Sequence, residues 1–459
     1  MEGYLSESTI AAVATALGGP IAIVRVSGPG ARRALGALAG PGAEGFTPRK
    51  LHRARLKARD GRALDDALVV LFAAPDSFTG EDVVELHLHG GGYGVATVME
   101  ELQAIGARQA LPGEFSFRAV RNGKMTLDQA YATADLIAAS NGRAASLALE
   151  KLSGSQGCLL SRVAEELRQL ATLGEAGIDF SDQDIDEVSI ARLSKRIGSV
   201  MSELDRLAAS YERGRRIQEG VDVALVGPPN AGKSSFFNAL LGEDRSIVSA
   251  MPGTTRDVVG ERLTLNGETS SVTMKLVDTA GLRKTGNDVE RMGIERTLAA
   301  AGSADLVVFL ADSSESPGPA REQWTCLLER VPSLAEKTIG ILTKTDLAPK
   351  LPEAPFPLRR WVPTSAVTGS GIPEAVRAIT QACETWVRRE AGEILLTRPE
   401  QLKATRTAIE HLGRARAASA HELFAADVRQ ALHALGPLVG ETLPDDILGR
   451  IFSDFCIGK

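Results

Sequence analysis

Three textures of hydrophobic spacing run along the chain. In the first part, apolar positions come in short β-rich runs cut by turn residues. "IAIVRVSG" (21–28) stops at Gly-Pro, "ALVVLF" (67–72) follows, and "VVELHLHGGG" (83–92) alternates before a glycine cluster. In the last of these Val84, Leu86 and Leu88 share one face and Glu85, His87 and His89 the other, the pattern of a strand with a polar solvent face. From about Met125 the spacing becomes helical, as in "TLDQAYATADLIAAS" and "RVAEELRQLATLGEAGI", and stays so to about Arg216. Strands and helices then alternate over 218–379, as in a parallel sheet, and helical spacing returns from about 380. The simplest reading is an α+β domain (1–122) and a helical domain (123–217 and 380–459) with an α/β domain (218–379) inserted into it. The Pro-rich "LPEAPFPLRR" (351–360) reads as a surface connection.

Composition narrows the setting. Hydrophobic residues are 44% and charged residues 24%, enough for an ordinary core in each domain. A net charge of -6 gives no global basic footprint, so a nucleic-acid partner needs a local patch. Cys158, Cys326, Cys383 and Cys456 are scattered without a CxxC pair, which fits a reducing compartment. No Lys or Arg precedes Arg25, so the apolar stretch Ile10–Leu17 lacks the positive flank of a secretory signal. No apolar run approaches about 20 residues, the length of a spanning helix. The expectation is a soluble, cytoplasmic protein.

The sharpest chemistry lies in "VDVALVGPPNAGKSSFFNAL". A buried strand (221–226) runs into Gly227 and the loop closing at Gly232-Lys233-Ser234, and a helix follows, the context of a phosphate-binding loop. Pro228 and Pro229 have no N–H, so the cradle starts at Asn230 and takes in Ala231, Gly232, Lys233, Ser234 and Ser235. Backbone amides hold phosphate oxygens, Lys233 neutralises the β- and γ-phosphates, and Ser234 ligates magnesium. Further segments follow in the order of a Ras-like GTPase: "PGTTRD" with Thr254 and Thr255, "KLVDTAG" with Asp278 and Gly281, "ILTKTD" with Thr343, Lys344 and Asp346, and "VPTSA" with Ser365 and Ala366. Asp346 can accept from guanine N1–H and N2–H, so the expected nucleotide is GTP. Two positions depart from the usual pattern. Thr343 stands where an Asn usually begins the guanine-reading motif, and Leu282 stands where Ras-type enzymes carry the water-orienting Gln. Glu290, in "NDVERMGIER", is an acid placed to take over that second role.

"GPPNAGKSS", "PGTTRD", "DTAGLR" with "VERMGIERT", "SFTGEDVVELHLHGG", "PGEFSFRAVRNGK" and the terminal "FCIGK" together resemble the tRNA-modification GTPases of the MnmE (TrmE) family, over nearly the whole chain. The resemblance implies a folate-binding-like α+β domain that also dimerises, a helical domain, and an inserted P-loop GTPase domain with a parallel-rich sheet. It implies a homodimer that works with the FAD-containing MnmG. Together they place a carboxymethylaminomethyl-type group on C5 of the wobble uridine of certain tRNAs. The one-carbon unit comes from a reduced folate, 5-formyl- or 5,10-methylenetetrahydrofolate.

By the same resemblance Arg25, Glu85, Lys124 and Lys459 match the folate site. Asn230, Ser249, Met251 and Thr254 match a potassium site, Ser234 and Thr255 the magnesium ligands, and Glu290 the water-orienting acid. Ser249 belongs with the GTP-contacting residues as well. Cys456 is assigned to tRNA modification, as nucleophile or as organiser of a pocket; a buried structural thiol is the alternative. A lipid anchor is disfavoured, because Gly458 and Lys459 break the aliphatic pattern after Cys456 and "LPDDILGRIFSD" is acidic. A ribosome-assembly GTPase would need an RNA-binding module such as a KH domain, and no convincing GXXG loop is present. For tRNA, Ser194-Lys195-Arg196, Arg213–Arg216 and the run with Arg398, Lys403, Arg406, Arg414 and Arg416 form the candidate patch, with a solvated helix face as the favoured reading.

Overall fold

A computed structural model describes residues 4, 8–179, 189–242, 262–266, 271–277, 290–348, 353–390, 392–439, 452 and 455. Its first sheet is built from β1 (Ile10–Val13), β2 (Ile21–Ser27), β3 (His52–Lys57), β4 (Ala63–Phe72), β5 (Val83–His89) and β6 (Arg108–Gln109), in the order β3-β4-β5-β2-β1-β6. Alternation decides its faces. Ala22, Val24 and Val26 of β2 and Val84, Leu86 and Leu88 of β5 point into one core, beneath helices Ala31–Ala39 and Gly92–Ala104. The opposite face is covered at the β1 end by helix Glu114–Arg121, whose Phe115 packs on Ile10 and Ala12.

That short helix is held by charge. Glu114, with no exposed surface, accepts from Arg108 at 2.5 and 2.8 Å, from Arg118 at 2.9 Å and from the Leu111 amide at 2.9 Å. Arg118 also reaches both oxygens of Glu81, at 3.1 and 3.0 Å. A buried carboxylate so fully paired avoids the large cost of an isolated buried charge, and removing one partner would restore that cost.

Four helices, Ser155–Asp179, Ile190–Ala209, Pro399–Ala417 and His421–Val439, share a bundle core that includes Leu167, Leu170, Ile197, Leu204, Leu412, Phe424 and Leu435. Half of this bundle precedes the inserted domain in sequence and half follows it. A second, polar seam ties helices Leu127–Ala138 and Gly142–Leu152 to the start of helix Pro399–Ala417. Lys151 donates to Thr397 at 2.6 Å, Gln401 to Asp128 at 2.7 Å, and Arg398 pairs with Asp135. Burial pushes the Asp128 and Asp135 carboxyls up and the Lys151 ammonium down, with the surrounding opposite charges working against it.

The inserted domain holds β7 (Val221–Val226), β8 (Arg262–Asn266), β9 (Ser271–Val277), β10 (Leu306–Asp312), β11 (Thr338–Thr343) and β12 (Trp361–Pro363), ordered β12-β11-β10-β7-β9-β8. All neighbours are parallel except the edge pair β8–β9. Strands β10 and β11 are buried along nearly their whole length, as parallel strands covered on both faces must be. The stretch around 351–360 does more than connect. Phe356 stacks on Trp324 at 4.6 Å and meets Phe309 at 5.0 Å edge-on, so the proline-flanked ring fills an aromatic core.

The end of the inserted domain remote from the loop after β7 rests on the helical domain. Ser140 and Asn141 hydrogen-bond Thr273 at 2.7 and 2.8 Å, Arg215 pairs with Asp222 at 2.9 Å, and Arg216 pairs with Asp305 at 2.8 Å. Among the described residues no helix is long and apolar enough to cross a membrane.

Candidate functional site

The phosphate loop leaves β7 at the carboxyl edge of the parallel strands, where open α/β sheets bind ligands. Gly227 passes directly under β10: a Cβ there would lie 2.3 Å from the Leu310 carbonyl oxygen. Asn230 and Gly232 take left-handed backbone angles (φ +62° and +78°), which turn the chain so that helix Lys233–Gly242 starts with its amides facing the loop. Lys233 Nζ lies inside the loop, donating to the carbonyls of Gly227 at 2.8 Å and Pro228 at 2.7 Å. Burial lowers its pKa, a cost that an anion in the loop would offset. Ser234 and Ser235 are exposed at the first turn of the helix, and Ala231 is buried beneath it.

The base-reading segment leaves β11 at the same edge. Its first residue, Thr343, is buried and donates its hydroxyl towards the Ala231 carbonyl (2.9 Å) and the Ala311 carbonyl (3.2 Å). One hydroxyl thus ties the guanine-reading strand end to the phosphate loop and to the strand between them. Lys344 turns back with φ +55° and meets Asp312 at 2.6 Å. Burial of Asp312 opposes ionisation, but hydrogen bonds from Lys344 and Ser314 outweigh it and hold the carboxyl below its ordinary range. Asp346 accepts from Ser365 at 2.5 Å, which presets the carboxylate, and Ala366 follows at the turn. The Thr343 and Asp312 contacts were not readable from motif spacing, because both depend on which strand lies between the two loops. Ser249, Met251, Thr254, Thr255, Asp278 and Gly281 lie outside the described residues, as does the side chain of Glu290, whose backbone opens helix Glu290–Ser303.

A second group of charges lies on the open side of the first sheet. Arg25 and Glu85 are direct cross-strand partners on β2 and β5 and form an ion pair at 2.8 Å. The Arg25 guanidinium is 5.5 Å from the ring centre of Phe78 and 5.7 Å from that of Phe115. The expected solvent face of β5 is therefore half-covered at Glu85 and His87, and His87 Nε2 is buried without a hydrogen-bond partner among the described residues, 3.6 Å from Glu85. Lys124 comes from the end of the next turn, and its stem packs beside Gly80: a Cβ added there would meet Lys124 Cγ at 3.2 Å.

The chain's C-terminal segment reaches the same helix from the other side. Phe452 is fully buried, 6.0 Å from Phe117 edge-on and 4.7 Å from Phe455, which in turn meets Tyr131 at 5.8 Å. Gly113, at φ +63°, makes room for both: a Cβ there would lie 2.7 Å from the Phe452 carbonyl and 2.7 Å from Phe455 Cβ. Two residues apart on helix Glu114–Arg121, Phe115 therefore faces Arg25 while Phe117 packs against Phe452. Cys456 and Lys459 themselves lie outside the described residues. Of the described thiols, Cys383 is buried on helix Ile372–Val387, where it packs on the core of the inserted sheet, and burial pushes its pKa to about 12.

The basic runs of the helical domain are largely neutralised within the fold. Arg196 pairs with Glu166 at 2.7 Å, Arg213 with Glu393 at 2.6 Å, and Arg414 with Asp427 at 3.1 Å, while Arg215, Arg216 and Arg398 make the pairs given above. Lys195, Lys403 and Arg406 are exposed.

Comparison with known proteins covers nearly the whole chain. Residues 9–124 match the family described as GTP-binding protein TrmE N-terminus, and residues 127–456 match the MnmE helical domain. A tRNA modification GTPase MnmE from Azoarcus sp. is 41% identical over 455 residues, covering 98% of each chain. Its namesake from Alkalilimnicola ehrlichii is 40% identical over 465 residues, 99% of this chain and 100% of the relative. The one from Neisseria gonorrhoeae is 40% identical over 455 residues, 98% and 99%. With two family matches in sequence order and such identity across nearly every residue, the chain belongs to the MnmE family of tRNA-modification GTPases.

Proposed function

We propose that this chain hydrolyses GTP to drive modification of C5 of the wobble uridine in certain tRNAs, as a cytoplasmic homodimer acting with the FAD-containing MnmG. The observation that carries the GTPase part is the meeting of phosphate loop and guanine-reading segment at one sheet edge, joined through Thr343 and Ala231. Loop amides from Asn230 to Ser235 hold the phosphates, Lys233 neutralises them, and Asp346 accepts from the guanine edge. Glu290 orients the attacking water, a task Leu282 has no polar group to perform.

Two cations complete this reading. Asn230 offers an exposed carboxamide and Ser234 a hydroxyl at the helix start, hard oxygen donors of the kind that suit potassium and magnesium. Asn230 with Ser249, Met251 and Thr254 would hold potassium, and Ser234 with Thr255 magnesium. These ions supply positive charge beside the phosphates.

Arg25, Glu85 and Lys124, with Lys459, form the site for a reduced folate in this reading. A charged pair framed by two rings, with the buried His87 Nε2 3.6 Å from Glu85, suits a flat heterocycle with donors and acceptors on its rim. Cys456 acts in the modification step at the segment seated by Phe452 and Phe455. The test of the GTPase half is to compare hydrolysis in potassium and in sodium at matched ionic strength. Rates are expected to be high only in potassium and to lose that dependence in Asn230→Ala with GTP binding retained. Equal rates in the two salts would sink the potassium assignment.

A further inference from the structure

The strongest uncommitted surface is the outer edge of the first sheet. Strand β3 is the terminal strand and pairs only with β4 among the described residues. Its Ala54 and Leu56 point into the core, so Arg53, Arg55 and Lys57 share the opposite face and are all exposed. Alternate residues of a strand repeat at about 7 Å, comparable to the separation of successive phosphates along a nucleic-acid chain. The charge extends beyond the strand. Lys50, Arg59 and Arg62 are also exposed, giving six basic residues between 50 and 62 against the single acid Asp60, in a chain of net charge -6.

Partial neutralisation leaves an excess. Arg53 pairs with Asp66 at 2.5 Å, Arg59 with Glu101 at 3.1 Å and Arg62 with Asp60 at 2.9 Å, while Lys50 and Lys57 make no ion pair among the described residues. Arg55 acts on Asp66 only at longer range, helping Arg53 hold that carboxyl below its ordinary pKa. At the hairpin end of this run, within interaction range of Arg62, stands Tyr93, 82% exposed, in the first turn of the helix that covers the core face of the sheet. An exposed tyrosine at the end of a cationic run is a combination that single-stranded RNA segments use, phosphates on the charges and an unpaired base on the ring. Charge on an edge strand also discourages strand addition, but that task ends with the strand, whereas the run here continues through Arg59 and Arg62.

We propose that the β3 edge, with Arg55 and Lys57 at its centre and Arg62 and Tyr93 at its hairpin end, is a docking surface for the tRNA backbone next to an unpaired base. The proposal rests on the reading of tRNA as substrate and moves its contact from the helical domain to the first sheet. Contacts of this kind position RNA without reading its sequence. The test is tRNA binding by the full-length protein across a series of salt concentrations.

Arg55→Glu with Lys57→Glu is expected to weaken binding at least about tenfold at low salt. It should also flatten the slope of log K against log salt by about 1.4–1.8, the loss of two phosphate contacts. GTP hydrolysis and the melting temperature should stay at parental values. Tyr93→Ala should weaken binding by about tenfold with the slope unchanged. Parental affinity and slope in the double reversal, with the loss appearing instead in Lys403→Glu with Arg406→Glu, overturns the surface and leaves tRNA as substrate. Parental binding by Tyr93→Ala removes the stacking contact from the proposal. Failure of the unaltered protein to bind any tRNA defeats the substrate reading itself.

Discussion

The two candidate sites are made of different materials. At the nucleotide site most of the work falls to the main chain: loop amides, left-handed turns at Asn230, Gly232 and Lys344, and a glycine at 227 where a carbonyl of β10 leaves no room for a Cβ. On the first sheet the candidate groups are side chains facing one another across strands, with Arg25 on Glu85 and rings of Phe78 and Phe115 around them. The backbone-built site depends on conformation, so adding one carbon in the wrong place should hurt more than removing a functional group. The side-chain-built site depends on charge and should respond the other way round.

The largest expected effect breaks the backbone site without touching a polar atom. Gly227→Ala must displace the loop from β10, an overpacking that costs about 1–3 kcal/mol of stability. A loop shifted by about 1 Å should lower affinity for a non-hydrolysable GTP analogue about a hundredfold or more. Calorimetric titration beside thermal unfolding separates the two effects; normal nucleotide affinity in a folded variant would contradict the backbone account.

An intermediate effect is expected at the sheet. Glu85→Ala removes a charged acceptor and leaves Arg25 half-buried and unpaired, which should weaken binding of 5-formyltetrahydrofolate by about 1.5–3 kcal/mol, on the order of 10- to 150-fold. Unchanged folate affinity would show that the pair is structural. The smallest effect sharpens the contrast from inside the nucleotide site. Thr343→Val keeps the shape of the residue and deletes the hydroxyl that joins the two loops. It should cost about 1 kcal/mol, roughly three- to tenfold in GDP affinity. A loss as large as that from Gly227→Ala would mean that this one side chain, and not the main chain, holds the site together.

The same difference explains what could be read from the sequence. Gly227, Gly232 and Lys233 announce a phosphate loop because the chain needs those residue types at those intervals to make that turn, and a local pattern carries local geometry. The strand-to-helix texture gave the multidomain arrangement for a similar reason. Contacts between distant segments left no such trace. Phe356 sits in a proline-rich stretch that reads as a surface connection, yet it stacks on Trp324 from another helix. "RGRR" looks like a basic patch, but two of its arginines are consumed by Asp222 and Asp305. Glu85 looks solvent-facing from alternation alone, since nothing in "VVELHLH" says that Arg25 stands opposite or that helix Glu114–Arg121 closes over β1, beyond the strand of Arg25.

The divided bundle carries a consequence for how the chain is made. Helices Ser155–Asp179 and Ile190–Ala209 leave the ribosome with Leu167, Leu170, Ile197 and Leu204 facing partners that have not yet been synthesised. Residues 210–398 intervene, which at about 5–20 residues per second is about 10–40 s of translation. The inserted domain has its own core on both sides of its sheet and can fold within that interval. Its host cannot close until Leu412, Phe424 and Leu435 emerge. During that wait the nascent chain offers a strip of apolar surface to whatever attends the exit tunnel. The order of synthesis thus makes the GTPase domain mature before the helical body that carries it.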